Sequence, residues 1–315
     1  MKDYLGRNIT YLRLSVTELC NLRCRYCMPA EGVQKRRHED MLTEEETVLA
    51  VTAASELGIR KVRLTGGEPL IKRNILTLAE KVASVPGIQE VCLTTNGILL
   101  PRFAKSLRAA GVRRVNISLD TLDPAKYARI TRIGDLGAAL RGLEAALDAG
   151  FERVKINTVL IGGFNDDEIP ALAELTRRYP LDVRFIELMP MGGDLDQASF
   201  LPGDAVLEKL PGLIKVPADG SVARLYRLPE AQGQVGIISP LSCPFCDRCD
   251  RIRLTADGRV KPCLHQAAEY PLKGLDKAGM KARFQAAIQN KPPWHGELSC
   301  AAPSQAGRPM HRIGG

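Results

Sequence analysis

Lys61-Val62-Arg63-Leu64-Thr65-Gly66-Gly67-Glu68-Pro69 is five residues of polar and apolar alternation followed by a glycine pair and a proline. A period of two marks a strand with two unlike faces, and the Gly-Gly that ends it marks a turn. Similar runs recur at Leu12 to Val16, Glu90 to Thr94, Arg114 to Leu119, Val154 to Leu160 and Val183 to Leu188, with helical patterns between them. Thr43 with Glu46 reads as a capping box and Gly58 as the stop of that helix, while Pro101 to Ala110 closes at Gly111 and Gly137 to Ala149 at Gly150. Six βα units predict an α/β fold with a parallel sheet. Since a closed barrel takes eight, a partial (β/α)6 TIM-type barrel is the first expectation and a doubly wound sheet the second.

One strand face is apolar throughout, with Val62 and Leu64, Val91 and Leu93, Val115 and Ile117, and Val183 and Phe185 available to helices. The other carries Arg13, Ser15, Lys61, Arg63, Thr65, Cys92, Thr94, Asn96, Asn116, Ser118, Asp120, Lys155, Asn157 and Arg184. A packed lumen is filled with Val, Ile and Leu, and a buried unpaired charge costs several kcal/mol. An interior of five cations and one carboxylate therefore has to hold water or an anion, most simply a polyphosphate.

The 315 residues suffice for two domains or a barrel with an appendage, and 45% hydrophobic residues exclude general disorder. Forty-four basic against 36 acidic residues leave +8, which favours anionic partners. Aromatics at 5% argue against a nucleic-acid binder built on stacking platforms, and Lys35-Arg36-Arg37-His38 reads as a solvated loop. No run approaches the roughly 18 apolar residues of a membrane span, and Met1 to Arg7 has no apolar signal core, so a cytoplasmic protein with no membrane or nucleic-acid partner is expected. After Met189 the βα rhythm gives way to a Pro-rich region with a hairpin from Ile252 to Val260 turning at Asp257-Gly258. The expected division is 1–190 and 191–315.

Nine cysteines in such a chain point to metal or redox chemistry rather than disulfides. Cys20, Cys24 and Cys27 follow the first strand; Cys246, Cys249 and Cys263 lie near the end, with Cys243 an extra thiol just upstream. Three thiolates in a set leave one position of a 4Fe-4S cluster open, whereas structural zinc wants a fourth ligand such as His38. Cys92 and Cys300 read as ordinary residues, and the four histidines show no paired metal spacing.

The Cys20 to Cys27 loop with Tyr26, together with Gly66-Gly67-Glu68-Pro69, resembles the radical S-adenosylmethionine superfamily. That resemblance implies that the open iron is chelated by the methionine part of the cofactor and that one electron cleaves the sulfonium to a 5'-deoxyadenosyl radical. Pro244 to Leu254 and the ending Arg312-Ile313-Gly314-Gly315 further resemble the GTP 3',8-cyclase family of molybdenum cofactor biosynthesis, over essentially the whole chain. The resemblance implies a C-terminal iron-sulfur extension and two 4Fe-4S clusters, held by Cys20, Cys24 and Cys27 and by Cys246, Cys249 and Cys263. For GTP it implies Arg13, Lys61, Arg63, Thr94, Lys155, Arg184, Arg251, Ile252 and Arg253; for S-adenosylmethionine, Tyr26, Gly67, Ser118 and Met189. Catalytic roles fall to Arg13, Arg251, Arg253, Gly314 and Gly315, the tail reaching in to organise the arginines. A flavodoxin- or ferredoxin-type one-electron reductant, a downstream cyclic pyranopterin monophosphate synthase and a homodimer complete what it implies. The alternatives are a radical enzyme that modifies peptides through an auxiliary cluster, and an RNA-binding or electron-transfer iron-sulfur protein.

Overall fold

The computed structural model describes residues 1–195, 199–218, 220–299 and 302–314. Six strands, β1 (Tyr11–Ser15), β2 (Lys61–Thr65), β3 (Glu90–Thr95), β4 (Val112–Ser118), β5 (Arg153–Leu160) and β6 (Leu181–Glu187), lie parallel and in chain order. Between them run α1 (Glu44–Glu56), α2 (Ile75–Ala83), α3 (Leu100–Ala109), α4 (Pro124–Thr131), α5 (Leu136–Asp148) and α6 (Ile169–Arg178). The local reasons are those legible in the chain. Thr43 Oγ1 accepts from Glu46 N at 3.1 Å while the Glu46 carboxylate accepts from Thr43 N at 2.9 Å, and Gly58, Gly111 and Gly150 all take positive φ past their helices. The sequence reading missed α4, so two helices rather than one connect β4 to β5.

The rest of the chain does not form a separate layer. After α7 (Ala205–Lys209) come β7 (Ile214–Lys215), β8 (Arg224–Arg227) and β9 (Val235–Ile238), then β10 (Arg251–Leu254), β11 (Arg259–Lys261), β12 (Tyr270–Pro271), α8 (Lys277–Gln289) and α9 (Met310–Ile313). β9 pairs parallel with β6, and β10 pairs parallel with β1, so the later strands extend the sheet at both edges in the order β12-β11-β10-β1-β2-β3-β4-β5-β6-β9-β8-β7. The result is an open, partial barrel. The β10–β11 hairpin is the expected one, with Gly258 at φ +78° in its turn. One apolar core runs from Ile9 to Ile288 and takes in the apolar strand faces together with α1 to α6 and α8. Among the described residues no helix is long and apolar enough to cross a membrane.

Close approach fixes how α5 seats on the sheet. A Cβ on Gly142 would stand 2.0 Å from the Gly97 carbonyl oxygen, whereas one on Gly137 in the first turn would meet nothing nearer than the flexible Arg141 guanidinium at 3.3 Å. Gly142→Ala is therefore expected to destabilise the chain by about 1 to 3 kcal/mol in denaturant titration. Gly137→Ala should be neutral or stabilising by up to about 1 kcal/mol. Equal effects would contradict the packing of this helix.

Candidate functional site

Parallel register sets two rows of charge across three neighbouring strands. Lys61, Tyr11 and Arg251 are aligned on β2, β1 and β10; two residues along, Arg63, Arg13 and Arg253 are aligned in the same order. Adjacent strands are about 4.8 Å apart, so these cations stand at side-chain contact, an arrangement that is destabilising between like charges. Tyr11 separates them: its hydroxyl accepts from Arg63 Nε, and its ring lies 5.2 Å from Lys61 Nζ and 5.5 Å from Arg251 Cζ. The strand begins one residue before the Leu12 expected from sequence, and Tyr11 was missed for that reason.

Burial first, and then the neighbouring arginines, push Arg13 down to about 10 and Arg253 down to about 9. Arg63 is held up instead, because the Tyr11 phenol and the Cys92 thiol offset the cost of its burial. On the next strands Thr94 Oγ1 accepts from Arg63 at 3.4 Å, and Arg184 donates to Ser221 at 3.3 Å. The expectation of a single interior carboxylate needs correction. Glu90 pairs with Lys61 and Arg114 at 2.9 and 3.2 Å, and Asp182 with Lys155 and Arg153 at 3.2 and 3.1 Å. These acids sit at strand starts and neutralise the lower layer, leaving the upper layer cationic.

The cations line a cavity of about 490 Å³ whose wall also holds both cysteine sets. At one end, Cys20, Cys24 and Cys27 follow β1. The glycine pair after β2 is what lets the two loops touch: Gly67 N donates to Thr17 O and Glu68 N to Leu19 O, both at 2.8 Å, and a Cβ on Gly67 would lie 2.2 Å from Leu19 O. The Glu68 carboxylate, raised to about 7 by burial, accepts from Asn96 N, Leu70 N and the Thr95 hydroxyl, tying the loop after β3 to the same point. Tyr26 donates to Asp120 at 2.7 Å, and Ser118 and Met189 complete this wall.

At the other end stand Cys246 and Cys249, on and just after a 3-10 turn, and Cys263 after β11. Buried Arg7 donates to Cys246 O at 2.7 Å, and buried Lys291 to Arg251 O and Pro262 O, both at 2.7 Å. Glu187, at the end of β6, accepts from Gly203 N, Leu241 N and Ser242 N and so holds the approach to Cys246. Sequence reading assigned no role to Arg7 or Lys291, whose partners are carbonyls that no motif encodes. Cys243 is exposed and off this wall.

The structure thus gathers every expected side chain of the two cysteine sets, the cations and the Tyr26 group, with one correction. Ile252 points away from the cavity into the apolar core, fully buried, so only its backbone faces its neighbours in the sheet. Gly314 O accepts from Arg253 at 2.5 Å. Gly315 and Cys300 lie outside the described residues. His265 and His295, read from sequence as bystanders, stack edge to face on the wall at 5.3 Å, and burial holds His265 neutral with a pKa of about 3. Trp294 is half exposed and packs on His295.

Among the described residues no three His, Cys, Asp or Glu side chains converge as a single metal ion requires. A cluster with irons at separate corners takes thiolates set farther apart, and each set offers three of them and leaves one iron open. Burial, with Glu68 adding to it, pushes Cys20 up to about 11, and burial with the Cys20 thiol pushes Cys27 up to about 12, so metal uptake there releases protons.

Burial, then Arg184, lowers Lys155 to about 7 despite Asp182. Below pH 7 it is charged with or without an anion; above pH 7 it is neutral until an anion raises its pKa. Inorganic tripolyphosphate is therefore expected to bind with uptake of up to one proton above pH 7 and to weaken as pH rises from about 7 to 9. Calorimetry in buffers of different ionisation enthalpy checks this. Uptake that persists unchanged in Lys155→Met would contradict it.

Known proteins resemble this chain along both of its halves. The Radical SAM superfamily matches residues 14–176 and the Molybdenum Cofactor Synthesis C family residues 181–297. The GTP 3',8-cyclase of Alkaliphilus metalliredigens is 46% identical, covering 100% of both chains, and that of Peptoclostridium acidaminophilum 48% identical, covering 99% of this chain and 98% of its own. Among solved structures, Streptococcus suis SuiB has a TM-score of 0.65 at 14% identity over 92% of this chain and 67% of its own. Methylornithine synthase PylB has a TM-score of 0.51 at 19% identity over 66% of this chain and 63% of its own. Both share the fold alone. With full-length identity at this level to several such enzymes, the chain belongs to the GTP 3',8-cyclase family of the radical SAM superfamily.

Proposed function

We propose that the chain binds GTP across this cavity and cyclises it to (8S)-3',8-cyclo-7,8-dihydroguanosine 5'-triphosphate, the first step of molybdenum cofactor biosynthesis. The observation that carries the reading is the double row of cations lying between two sets of three thiols. A triphosphate is the polyanion that such a cavity recruits, and arginines fork onto its oxygens while keeping their charge. Arg13, Lys61, Arg63, Thr94, Lys155 and Arg184 hold the phosphates, and Arg251, Arg253 and the backbone of Ile252 hold the nucleotide beside Cys246, Cys249 and Cys263. Tyr26, Gly67, Ser118 and Met189 receive S-adenosylmethionine beside Cys20, Cys24 and Cys27.

Cys20, Cys24 and Cys27 and Cys246, Cys249 and Cys263 would hold two 4Fe-4S clusters, which with S-adenosylmethionine would supply one-electron radical chemistry toward C3' of the ribose. The chain's own part is placement and exclusion of water. Tyr11 keeps Arg63 and Arg251 apart, Glu68 and Asp120 brace the first loop, and Arg7 and Lys291 brace the second. Arg13, Arg251 and Arg253 act on the nucleotide together with Gly314 and Gly315 of the tail, the Gly314 carbonyl being the acceptor already aimed at Arg253. In this reading residues 1–190 deliver the radical and 191–315 complete the nucleotide site. The protein works in the cytoplasm with a flavodoxin- or ferredoxin-type donor, as a homodimer, and passes its product to a cyclic pyranopterin monophosphate synthase.

Anaerobic reconstitution should give about eight irons per chain. Replacing Cys20, Cys24 and Cys27 with Ala should abolish S-adenosylmethionine cleavage, and replacing Cys246, Cys249 and Cys263 should halve the iron while sparing the first set. Arg253→Ala should cut cyclisation by about one to two orders of magnitude while uncoupled 5'-deoxyadenosine persists. Four irons in the wild type, or unchanged product yield from Arg253→Ala, would overturn the assignment.

A further inference from the structure

The last described residues reach the first cysteine loop and the ends of β1 and β2. His311 Nδ1 lies 3.0 Å from Cys27 O, and Gly314, at φ +87°, packs so closely on β1 and β2 that an added Cβ would meet Ser15 Cβ at 3.0 Å and Thr65 Cγ2 at 2.9 Å. Yet the only regular structure here is α9, a single turn of four residues, too short to hold itself. Its apolar contacts are few: Ile313 and Ala306 share a small cluster with Met191. Something else must fix where the chain end falls.

That something is polar. Arg308 Nη1 donates to both oxygens of Asp257 at 2.9 and 2.8 Å, Nη2 donates to Glu269 Oε2 at 2.7 Å, and Nε stands 2.6 Å from Glu269 Oε1. One guanidinium is thus forked onto two carboxylates, the first in the β10–β11 turn and the second just before β12. Asp257 and Arg308 are 9% and about one-eighth exposed, so the pairs are shielded from solvent. Lys261, fully buried, donates to Ala306 O at 3.1 Å and pairs with Glu269 at 3.4 Å. Arg36 joins Asp257 to Glu18, and Glu18 pairs in turn with Arg312 at 3.3 Å.

We infer that Arg308, clamped by Asp257 and Glu269, is the positioning residue that delivers the Gly314-Gly315 end to Arg253. It touches no part of the cavity itself. Asp257 sits in the turn of the hairpin whose first strand carries Arg251 and Arg253, and Glu269 immediately precedes β12, which pairs with that hairpin's second strand, so the clamp sets the tail in register with the arginines it meets. This rests on the proposed reading in which the tail acts on the arginine group.

The test compares full-length Arg308→Ala with the wild type by two measures. Hydrogen exchange at the Arg312 and Gly314 amides, which bond to Pro309 O and Met310 O, should quicken about tenfold or more while the strands keep their protection. Cyclisation should fall about tenfold or more with 5'-deoxyadenosine formation retained, and a synthetic peptide of residues 302–315 should restore it in trans. The same peptide carrying Arg308→Ala should not. If Arg308→Ala loses protection throughout the chain, Glu269→Gln, which keeps an acceptor and removes the charge, is read by the same two measures. Unchanged exchange and full cyclisation would overturn the clamp. Deletion of Gly314 and Gly315 separates the two ideas: full activity in that variant would overturn the reading of the tail, whereas its inactivity beside a fully active Arg308→Ala would overturn the clamp alone.

Discussion

Arg63, Arg13 and Arg253 occupy one row across β2, β1 and β10, and no arrangement of a pleated sheet can put them farther apart once that register is set. Their mutual repulsion and their burial both oppose the charged state, which is why Arg13 and Arg253 are pushed down while each keeps its place. A site of this kind stores unfavourable electrostatics in the empty protein and releases them when a polyanion enters. Much of the remaining architecture follows. Tyr11 insulates the lower row, Glu90 and Asp182 pair with Lys61 and Lys155 in that layer, and the upper layer stays cationic.

The same register explains why the C-terminal region folds back onto the barrel. β10 brings Arg251 and Arg253 to β1, and its flanking turns bring Cys246, Cys249 and Cys263 to the opposite end of the cavity from Cys20, Cys24 and Cys27. Backbone contacts brace each cysteine set. Gly67 lies directly on Leu19 O, and Arg7 reaches Cys246 O across nearly the whole sequence. Loops held in this way can keep their shape while thiols exchange protons for metal.

Alternation made the polar face of six strands legible, because a period of two survives errors of a residue or two in the strand ends. The capping box at Thr43 and the turn at Asp257-Gly258 were legible for a similar reason, since each is a local device whose partners are close in sequence. What could not be read depends on pairs far apart in the chain. Nothing near Arg253 says that its neighbour will be Arg13, and nothing near Arg308 names Asp257 or Glu269. The single-carboxylate count failed because Glu90 and Asp182 lie at strand starts, where the boundary decides whether a residue counts as interior. Ile252 was carried along by its neighbours Arg251 and Arg253, although the period of two that exposes them turns it into the core.

In the proposed function one nucleotide lies between the two cysteine sets, its phosphates on the cation rows and its ribose toward Cys20, Cys24 and Cys27. The direct measurement is anaerobic turnover with GTP deuterated at C3', followed by mass analysis of the 5'-deoxyadenosine. Deuterium in the deoxyadenosine, with protium when only C4' or C5' is labelled, is the predicted result. Deoxyadenosine that forms with GTP present but carries no label from C3' would place the ribose elsewhere and contradict the account.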